Sequence, residues 1–276
     1  MDKCTLETCP VETSIYGYRP SIPANVALLL LFSLSGAIHL SQLILWRNRL
    51  FSIPMVIGCI CEILGYSGRL MLQSDPFNMD GFMLQICALT IAPAFFTASI
   101  YFCISGIVRL FGQESSRLRP ALYAWIFIPC DLISLILQGT GGALASVATD
   151  NGHDPTPATN VMIAGLAFQV FSLLMFIVLL VEFVWRVRRR QSMWSKDDSS
   201  FSSIPVSTHR VYLFAVPFSI AILCIFTRCV YRVAELSSGW DGELIKEEGT
   251  FVALEGVMIV VAVWALNVAH PKLLGI

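Results

Sequence analysis

Seven long apolar runs limit what this chain can fold into. Each is about 20 residues or longer, which is the length an α-helix needs to cross a bilayer. Hydrophobic residues make up 56% of the 276 positions and charged residues 13%, about half the charged share of a soluble domain. The sequence therefore predicts an all-α, polytopic membrane protein with seven transmembrane helices. The predicted spans are 23–46, 51–73, 82–108, 121–147, 160–185, 210–233 and 250–270.

The loops between these runs alternate in charge. The basic set contains Arg47, Arg49, Arg109, Arg117, Arg119, Arg186, Arg188, Arg189, Arg190, Lys196, Arg210 and Lys272. The other set is mainly acidic and contains Lys3, Arg19, Asp75, Asp80, Asp150, Asp154, Glu235, Asp241, Glu243, Lys246, Glu247 and Glu248. Because basic loops remain in the cytosol, we expect an extracellular N-terminal tail (1–22), a transmembrane domain (23–270) and a cytosolic C-terminal stub (271–276).

The longest link, residues 186–209, is predicted to be a flexible cytosolic loop. It begins with a basic patch that can face anionic lipid and continues with a Ser-rich stretch containing Asp197 and Asp198. Glu182 lies close enough to the cytosolic surface to reach water or Arg186, and it needs no functional role.

Seven of the nine cysteines lie in apolar runs, where cysteine behaves as a small hydrophobic residue. Cys4 and Cys9 lie in the polar tail, where they either form a disulfide or remain free.

Small residues and prolines interrupt several spans. Prolines in spanning helices usually kink them, which favours an internal cavity; they are Pro54, Pro93, Pro129 and Pro217. Small residues in the fourth span predict close helix packing; they are Gly139, Gly141, Gly142, Ala143 and Ala145.

Polar side chains at membrane depth are costly, so they suggest function. Glu62, Tyr66 and Arg69 share one face of the second span. The other candidates are Asp131, Ser134 and Gln138 in the fourth span, Arg228 and Arg232 in the sixth, and Glu255 in the seventh.

Their depths predict two polar layers. Counted from the cytosolic ends, Glu62 and Asp131 fall about 15 Å deep. The second layer lies roughly 22–27 Å deep and contains Arg69, Gln138, Arg228 and Glu255. We expect Arg228 to pair with Glu255, and Arg69 to pair with Glu62 or Asp131.

These layers predict a cavity that opens to the outer leaflet and binds the polar head of an amphiphile. The alternative interpretation is a set of structural ion pairs that fix helix packing. His39 and Gln42, in the first span, are interpreted as a hydrogen-bonded packing pair. The candidate substrate-binding residues are Glu62, Tyr66, Arg69, Asp131, Gln138, Arg228, Arg232 and Glu255.

The sequence lacks the residues that several known membrane-protein activities require. The seventh run has no lysine for a retinal Schiff base, and the four histidines are too scattered for a zinc or haem site. There is no Walker A loop for ATP. We therefore expect no metal, no cofactor and no enzymatic activity; the expected partners are lipids or other amphiphiles and the membrane, not nucleic acid. The oligomeric state stays open.

Several motifs, taken together in order, resemble one family. They are Tyr18-Arg-Pro-Ser-Ile-Pro-Ala-Asn25, Glu62-Ile-Leu-Gly-Tyr-Ser-Gly-Arg69, Leu89-Thr-Ile-Ala-Pro-Ala-Phe95, Asp131 with Gln138-Gly-Thr-Gly-Gly142, and Arg228-Cys-Val-Tyr-Arg-Val-Ala-Glu235. From Tyr16 to Pro271 the chain resembles the fungal lipid-translocating exporters, seven-helix proteins named for resistance to aminocholesterol and related to the yeast long-chain-base translocase. Relatives usually carry Asp near Glu255, and many have a glycosylation sequon that this chain lacks.

The resemblance implies residence in the plasma membrane or an endomembrane. It also implies export of sphingoid bases, sterol-like amines or other toxic lipophiles, including a secondary metabolite, with resistance as the result. Some relatives are linked to porphyrin uptake, so direction and substrate stay open. A seven-helix lipid receptor or stress sensor is the alternative, because an outside N-terminus and a basic third inner loop are also the plan of receptors. An intramembrane enzyme is the weaker alternative.

Overall fold

A computed structural model shows the protein as a bundle of long helices. The structure describes residues 9–14, 16–111, 114, 116–150, 152–194, 208–237 and 242–275. Within these residues seven helices are long and apolar enough to span a bilayer, which confirms the predicted number. The first six are α1 (Ile22–Trp46), α2 (Arg49–Ser74), α3 (Met79–Phe111), α4 (Pro120–Asp150), α5 (Thr156–Trp194) and α6 (Thr208–Ser237). The seventh span is Glu248–Leu274.

The seventh span is not a uniform α-helix. It contains a π-helical segment, Val252–Val257, followed by an α-helix, Met258–Val268. The Met258 N–H bonds back to the Ala253 carbonyl, five residues earlier. Short π segments inside helices are frequent at functional sites. This segment carries Glu255, which is only 2% exposed.

Glycines let two helix pairs approach closely. A side chain at Gly68 of α2 would lie 2.7 Å from the Gly81 carbonyl oxygen of α3. A side chain at Gly141 of α4 would lie 2.6 Å from the Met162 backbone nitrogen of α5. Backbone atoms cannot move aside cheaply, so both positions require glycine. The predicted close packing of the fourth span is confirmed at Gly141.

The bundle has two distinct ends. The N-terminal face is the end where α1, α3, α5 and the seventh span begin, and the C-terminal face is the opposite end. At the N-terminal face, the Ser21 N–H donates to Glu248 Oε1 over 2.6 Å. At the C-terminal face, the Trp46 and His270 rings lie 4.5 Å apart. The basic loops fall at the C-terminal face and the acidic loops at the N-terminal face.

The predicted flexible loop at 186–209 is wrong for its first part, because α5 continues to Trp194. Glu182 accepts hydrogen bonds from Arg117 and Arg186 over 2.7 and 2.6 Å, as expected for a carboxylate at the membrane surface. The Arg117–Glu182 pair holds the end of α5 against the α3–α4 connection. Residues 195–207, with the Ser-rich stretch, lie outside the described residues.

The possible disulfide between Cys4 and Cys9 stays a prediction, because Cys4 lies outside the described residues. Cys9 is disulfide-bonded, whereas Cys4 is not among the described residues. The seven cysteines of the spans are free.

Candidate functional site

A cavity of about 670 Å³ lies between α3, α4, α5 and α6, in the half of the bundle nearer the N-terminal face. Cavities of 300–1,000 Å³ suit small organic ligands. Its lining is mostly apolar, with a few polar side chains. The lining residues are Met79, Phe82, Met83, Ile86, Cys87, Thr90, Ile91, Phe95, Leu132, Leu135, Ile136, Gln138, Gly139, Gly142, Ala143, Ala145, Ser146, Pro155, Met162, Leu166, Arg232 and Leu236.

The cavity opens sideways between α3 and α4. Lining residues on both helices are exposed on the lipid-facing surface, Ile91 on α3 and Leu132 and Ile136 on α4. Toward the C-terminal face the same two helices are in close contact. There Ser105 Oγ donates to the Pro120 carbonyl over 2.7 Å. A lipid tail can therefore enter from the bilayer without crossing the loops.

Two predicted residues, Gln138 and Arg232, line this cavity. Gln138 Nε2 donates to Gln169 Oε1 over 3.0 Å, while Gln138 Oε1 and Gln169 Nε2 have no hydrogen-bond partner in the described structure. Arg232 Nη1 donates to Glu235 Oε2 over 2.5 Å. Buried polar atoms without partners are costly, so the Gln138–Gln169 pair retains capacity to bind a polar head group.

Asp131 lies at the end of the cavity nearest the middle of the bundle. Its neighbour Leu132 and the next turn's Leu135 line the cavity, but Asp131 itself is only 4% exposed. Its Oδ2 lies 2.7 Å from Thr97 Oγ1, and Thr97 is two residues beyond the lining residue Phe95. The Asp131–Thr97 contact joins α3 to α4 next to the cavity lining.

Arg228 and Glu255 form a buried ion pair outside the cavity lining. Arg228 Nη2 lies 2.5 Å from Glu255 Oε1 and also donates to the Leu89 carbonyl over 2.5 Å. The predicted pairing is confirmed. Glu62 is 1% exposed, has no hydrogen bond or ion pair among the described residues, and is acted on by the charges of Arg228 and Glu255. Tyr66, fully buried, stacks on Phe32 with ring centroids 5.7 Å apart.

Arg69 is buried beneath the N-terminal tail. Its Nε donates to Asn25 Oδ1 over 3.0 Å, and its Nη2 donates to the Tyr18 hydroxyl over 3.1 Å. The Phe251 ring lies 4.0 Å from the guanidinium carbon, and Glu248 Oε1 lies 3.5 Å from Nη2. Burial raises the pKa of Tyr18, so its hydroxyl stays neutral and can accept from the arginine.

The prediction that Arg69 pairs with Glu62 or Asp131 is therefore wrong. Arg69 lies seven positions after Glu62 in α2, about 10 Å along the helix. The arginine extends toward the N-terminal face, where Glu248 lies closer. Asp131 is out of reach because α3 packs between α2 and α4.

His39 and Gln42 have the packing role expected of them. His39 Nδ1 and Gln42 Oε1 lie 3.1 Å apart, and Gln42 Nε2 donates to the Asn267 carbonyl over 3.1 Å. The bond from Gln42 to Asn267 joins α1 to the seventh span, and His39 holds the Gln42 side chain.

Sequence reasoning missed the partners of the charged groups, among them Thr97, Gln169, Asn25 and Glu248. Thr97 and Gln169 are single polar residues in apolar runs, a weak signal that could have identified them. Asn25 and Glu248 lie at span ends, where polar residues are ordinary. Asn25 ends one of the family motifs, but nothing in the sequence indicated that it would bond Arg69.

Comparison with known proteins identifies the family. A family model described as RTA1 like protein matches residues 55–275. The chain belongs to the RTA1-like family. The matched region contains the whole cavity lining and all eight predicted site residues, and the resemblance drawn from the sequence motifs is confirmed.

Among RTA1-like relatives, the sphingoid long-chain base transporter RSB1 of Saccharomyces cerevisiae is 35% identical over 291 residues, covering 96% of this chain and 76% of the relative. Protein RTA1 of the same yeast is 24% identical over 282 residues, covering 93% and 84%. Protein RTM1, also from Saccharomyces cerevisiae, is 24% identical over 291 residues, covering 91% and 89%. No solved structure matches.

Proposed function

We propose that this RTA1-like protein translocates amphiphilic lipids across the membrane and exports toxic lipophilic compounds, which gives the cell resistance to them. Long-chain bases are the first candidate substrates, since a relative that covers nearly the whole chain is named for transporting them. The observation that carries the proposal is the mainly apolar cavity that opens between α3 and α4. A tail fits its apolar walls, and a head group fits Gln138, Arg232 and the neighbouring Asp131.

The cavity lies on the side that the charge distribution assigns to the outside of the cell. Basic loops gather at the C-terminal face, which we assign to the cytosol. The cavity then faces the outer leaflet, as an exporter's release site requires. We place the protein in the plasma membrane. Because the relative's name describes transport, we propose a transporter and not an intramembrane enzyme.

Filling the cavity is expected to abolish transport. Gly142 lines the cavity, and a side chain there would begin 3.6 Å from Met162 Sδ, an ordinary contact. Gly142→Phe should therefore fold while its ring occupies the cavity. We expect efflux of a labelled sphingoid base from cells expressing Gly142→Phe to fall to that of cells lacking the gene.

The matched control is Leu144→Phe, two residues along α4. Leu144 is 58% exposed toward the lipid, so the added ring meets no cavity wall. Efflux should stay at the wild-type level at equal surface expression. Unchanged efflux in Gly142→Phe would argue against this cavity as the substrate route. Saturable binding of the base without net flux in the wild type would instead favour the receptor alternative.

A further inference from the structure

The buried charges of the bundle do not balance. Among the described residues four carboxylates are buried. Glu255 pairs with Arg228, and Glu235 pairs with Arg232. Glu62 and Asp131 have no cation within ion-pair distance in the described part of the chain. An uncompensated carboxylate is expensive in a membrane interior, so each must hold a proton or receive a cation from elsewhere.

Asp131 is the one beside the cavity. Leu132 and Leu135, on adjacent turns of α4, line the cavity, as does Phe95 near Thr97 on α3. Glu62 lies on α2, and the charges that act on it are those of Arg228 and Glu255. Of the two carboxyls without a cation, Asp131 is therefore the one nearer to the cavity lining.

The contacts of Asp131 leave its charge uncompensated in this structure. Thr97 Oγ1 donates to Asp131 Oδ2 over 2.7 Å and also lies 3.0 Å from the Ala94 carbonyl. Asp131 Oδ1 has no hydrogen-bond partner among the described residues. A single hydroxyl donor does not offset the cost of burying a carboxylate. Without a substrate, we therefore expect the carboxyl to hold a proton.

From these observations we infer that Asp131 is an exchange site, where the ammonium head of a long-chain amine replaces the proton of the carboxyl. This rests on the proposed transport function and specifies its substrate class as cationic amines. The step balances: the ammonium binds as a cation, the carboxyl O–H breaks, and its proton leaves to water. Amine movement is thereby coupled to proton movement in the opposite direction, which supplies an energy source without ATP.

Few other titratable groups act on Asp131. From α3 the Tyr101 hydroxyl lies beside the carboxyl, outside hydrogen-bond geometry. From α6 the Cys229 thiol acts on it, and Arg228 is directed away toward Glu255. In the described part of α5 no charged side chain acts on it. The carboxyl and the incoming amine are therefore the pair that exchanges charge.

The test measures binding and proton release together. Purified protein in detergent micelles is titrated with a saturated long-chain primary amine and, separately, with its N-acetylated form, which carries no charge. Calorimetry in two buffers of different ionisation enthalpy gives the number of protons released per bound molecule. We expect the wild type to release close to one proton per amine and none with the N-acetylated form. Proton release near zero when the wild type binds the amine would overturn the inference by itself.

Asp131→Asn extends the test. We expect it to bind the amine about tenfold or more weakly than the wild type, since a charge-assisted contact is lost, and to release no proton. Its unchanged affinity for the N-acetylated form would support the inference and show that the fold is intact. Equal loss of affinity for both ligands would overturn it. Wild-type protein that binds neither ligand would overturn the proposed function as well.

The matched control is Asp154→Asn. Asp154 is exposed, next to the lining residue Pro155. Hydrogen bonds from Thr156 lower the pKa of Asp154, so it is already ionised near neutral pH and has no proton to exchange. This variant should keep the wild-type affinity and proton count. A loss as large as that of Asp131→Asn would show that surface charge, not Asp131, governs binding, and would overturn the inference.

Discussion

Arg228→Met is expected to destabilise the bundle by about 3–5 kcal/mol, the cost of removing one partner of a buried ion pair. Glu255, 2% exposed, would lose its only ion-pair partner among the described residues, and the Leu89 carbonyl would lose its arginine donor. The free energy of unfolding in mixed micelles, followed by fluorescence, measures the effect.

A double variant separates charge from packing. In Arg228→Met/Glu255→Met no buried carboxylate is left unpaired by the substitution, so most of the lost stability should return. Glu255→Gln alone should cost less than Arg228→Met, because Arg228 keeps its bond to Leu89 and can turn to Glu62. A double variant no more stable than Arg228→Met would contradict this interpretation of the pair.

Arg69→Ala is expected to cost about 3 kcal/mol and to release the N-terminal tail. The guanidinium is fully buried and makes two charged hydrogen bonds and a cation–π contact with Phe251; such interactions contribute about 1.5–3 and about 2 kcal/mol each before compensation. Since Arg69 joins Tyr18, Asn25 and Glu248, its loss separates the tail from α1 and the seventh span. Hydrogen exchange of residues 16–20 should rise strongly.

Arg19→Ala is the matched control for Arg69→Ala. Arg19 lies on the same face of the protein but is exposed. Its loss should change stability by no more than about 0.5 kcal/mol and leave hydrogen exchange of the tail unaltered. Arg69→Lys should give an intermediate result, because an ammonium keeps the charge but cannot reproduce the planar fork that bonds Asn25 and Tyr18 together. Unchanged tail protection in Arg69→Ala would show that the aromatic contacts alone hold the tail.

The Arg228–Glu255 pair could be predicted because depth within a span follows from residue number, and few opposite charges lie at that depth. The same reasoning failed for Arg69, because depth does not say toward which end of a helix a long side chain extends. It also failed for the start of the 186–209 link, where charged residues were interpreted as a loop although they continue α5, and Arg186 pairs with Glu182.

The lining of the cavity could likewise be predicted only in part from the sequence. Gln138 and Arg232 could be named as polar residues within spans, but nothing in the sequence indicated that these two would share a lining while Glu62, Tyr66, Arg69, Arg228 and Glu255 would not. Gly141 and Gly142 are adjacent and chemically identical, yet one packs against the α5 backbone and the other faces the cavity. The two glycines differ because they lie in different directions around the axis of α4, and only Gly141 faces the backbone of α5.

The seven apolar helices, their charge-asymmetric ends and the family motifs were determined by the sequence alone, because hydrophobic length and loop charge act locally and need no knowledge of neighbours. Only the tertiary structure decided which polar groups meet, where α3 and α4 separate to leave a cavity, and which carboxyls remain without a cation. Those outcomes depend on helix rotation and spacing, set by the packing of many side chains at once. The uncompensated Asp131 beside the cavity is the consequence with the most direct bearing on function.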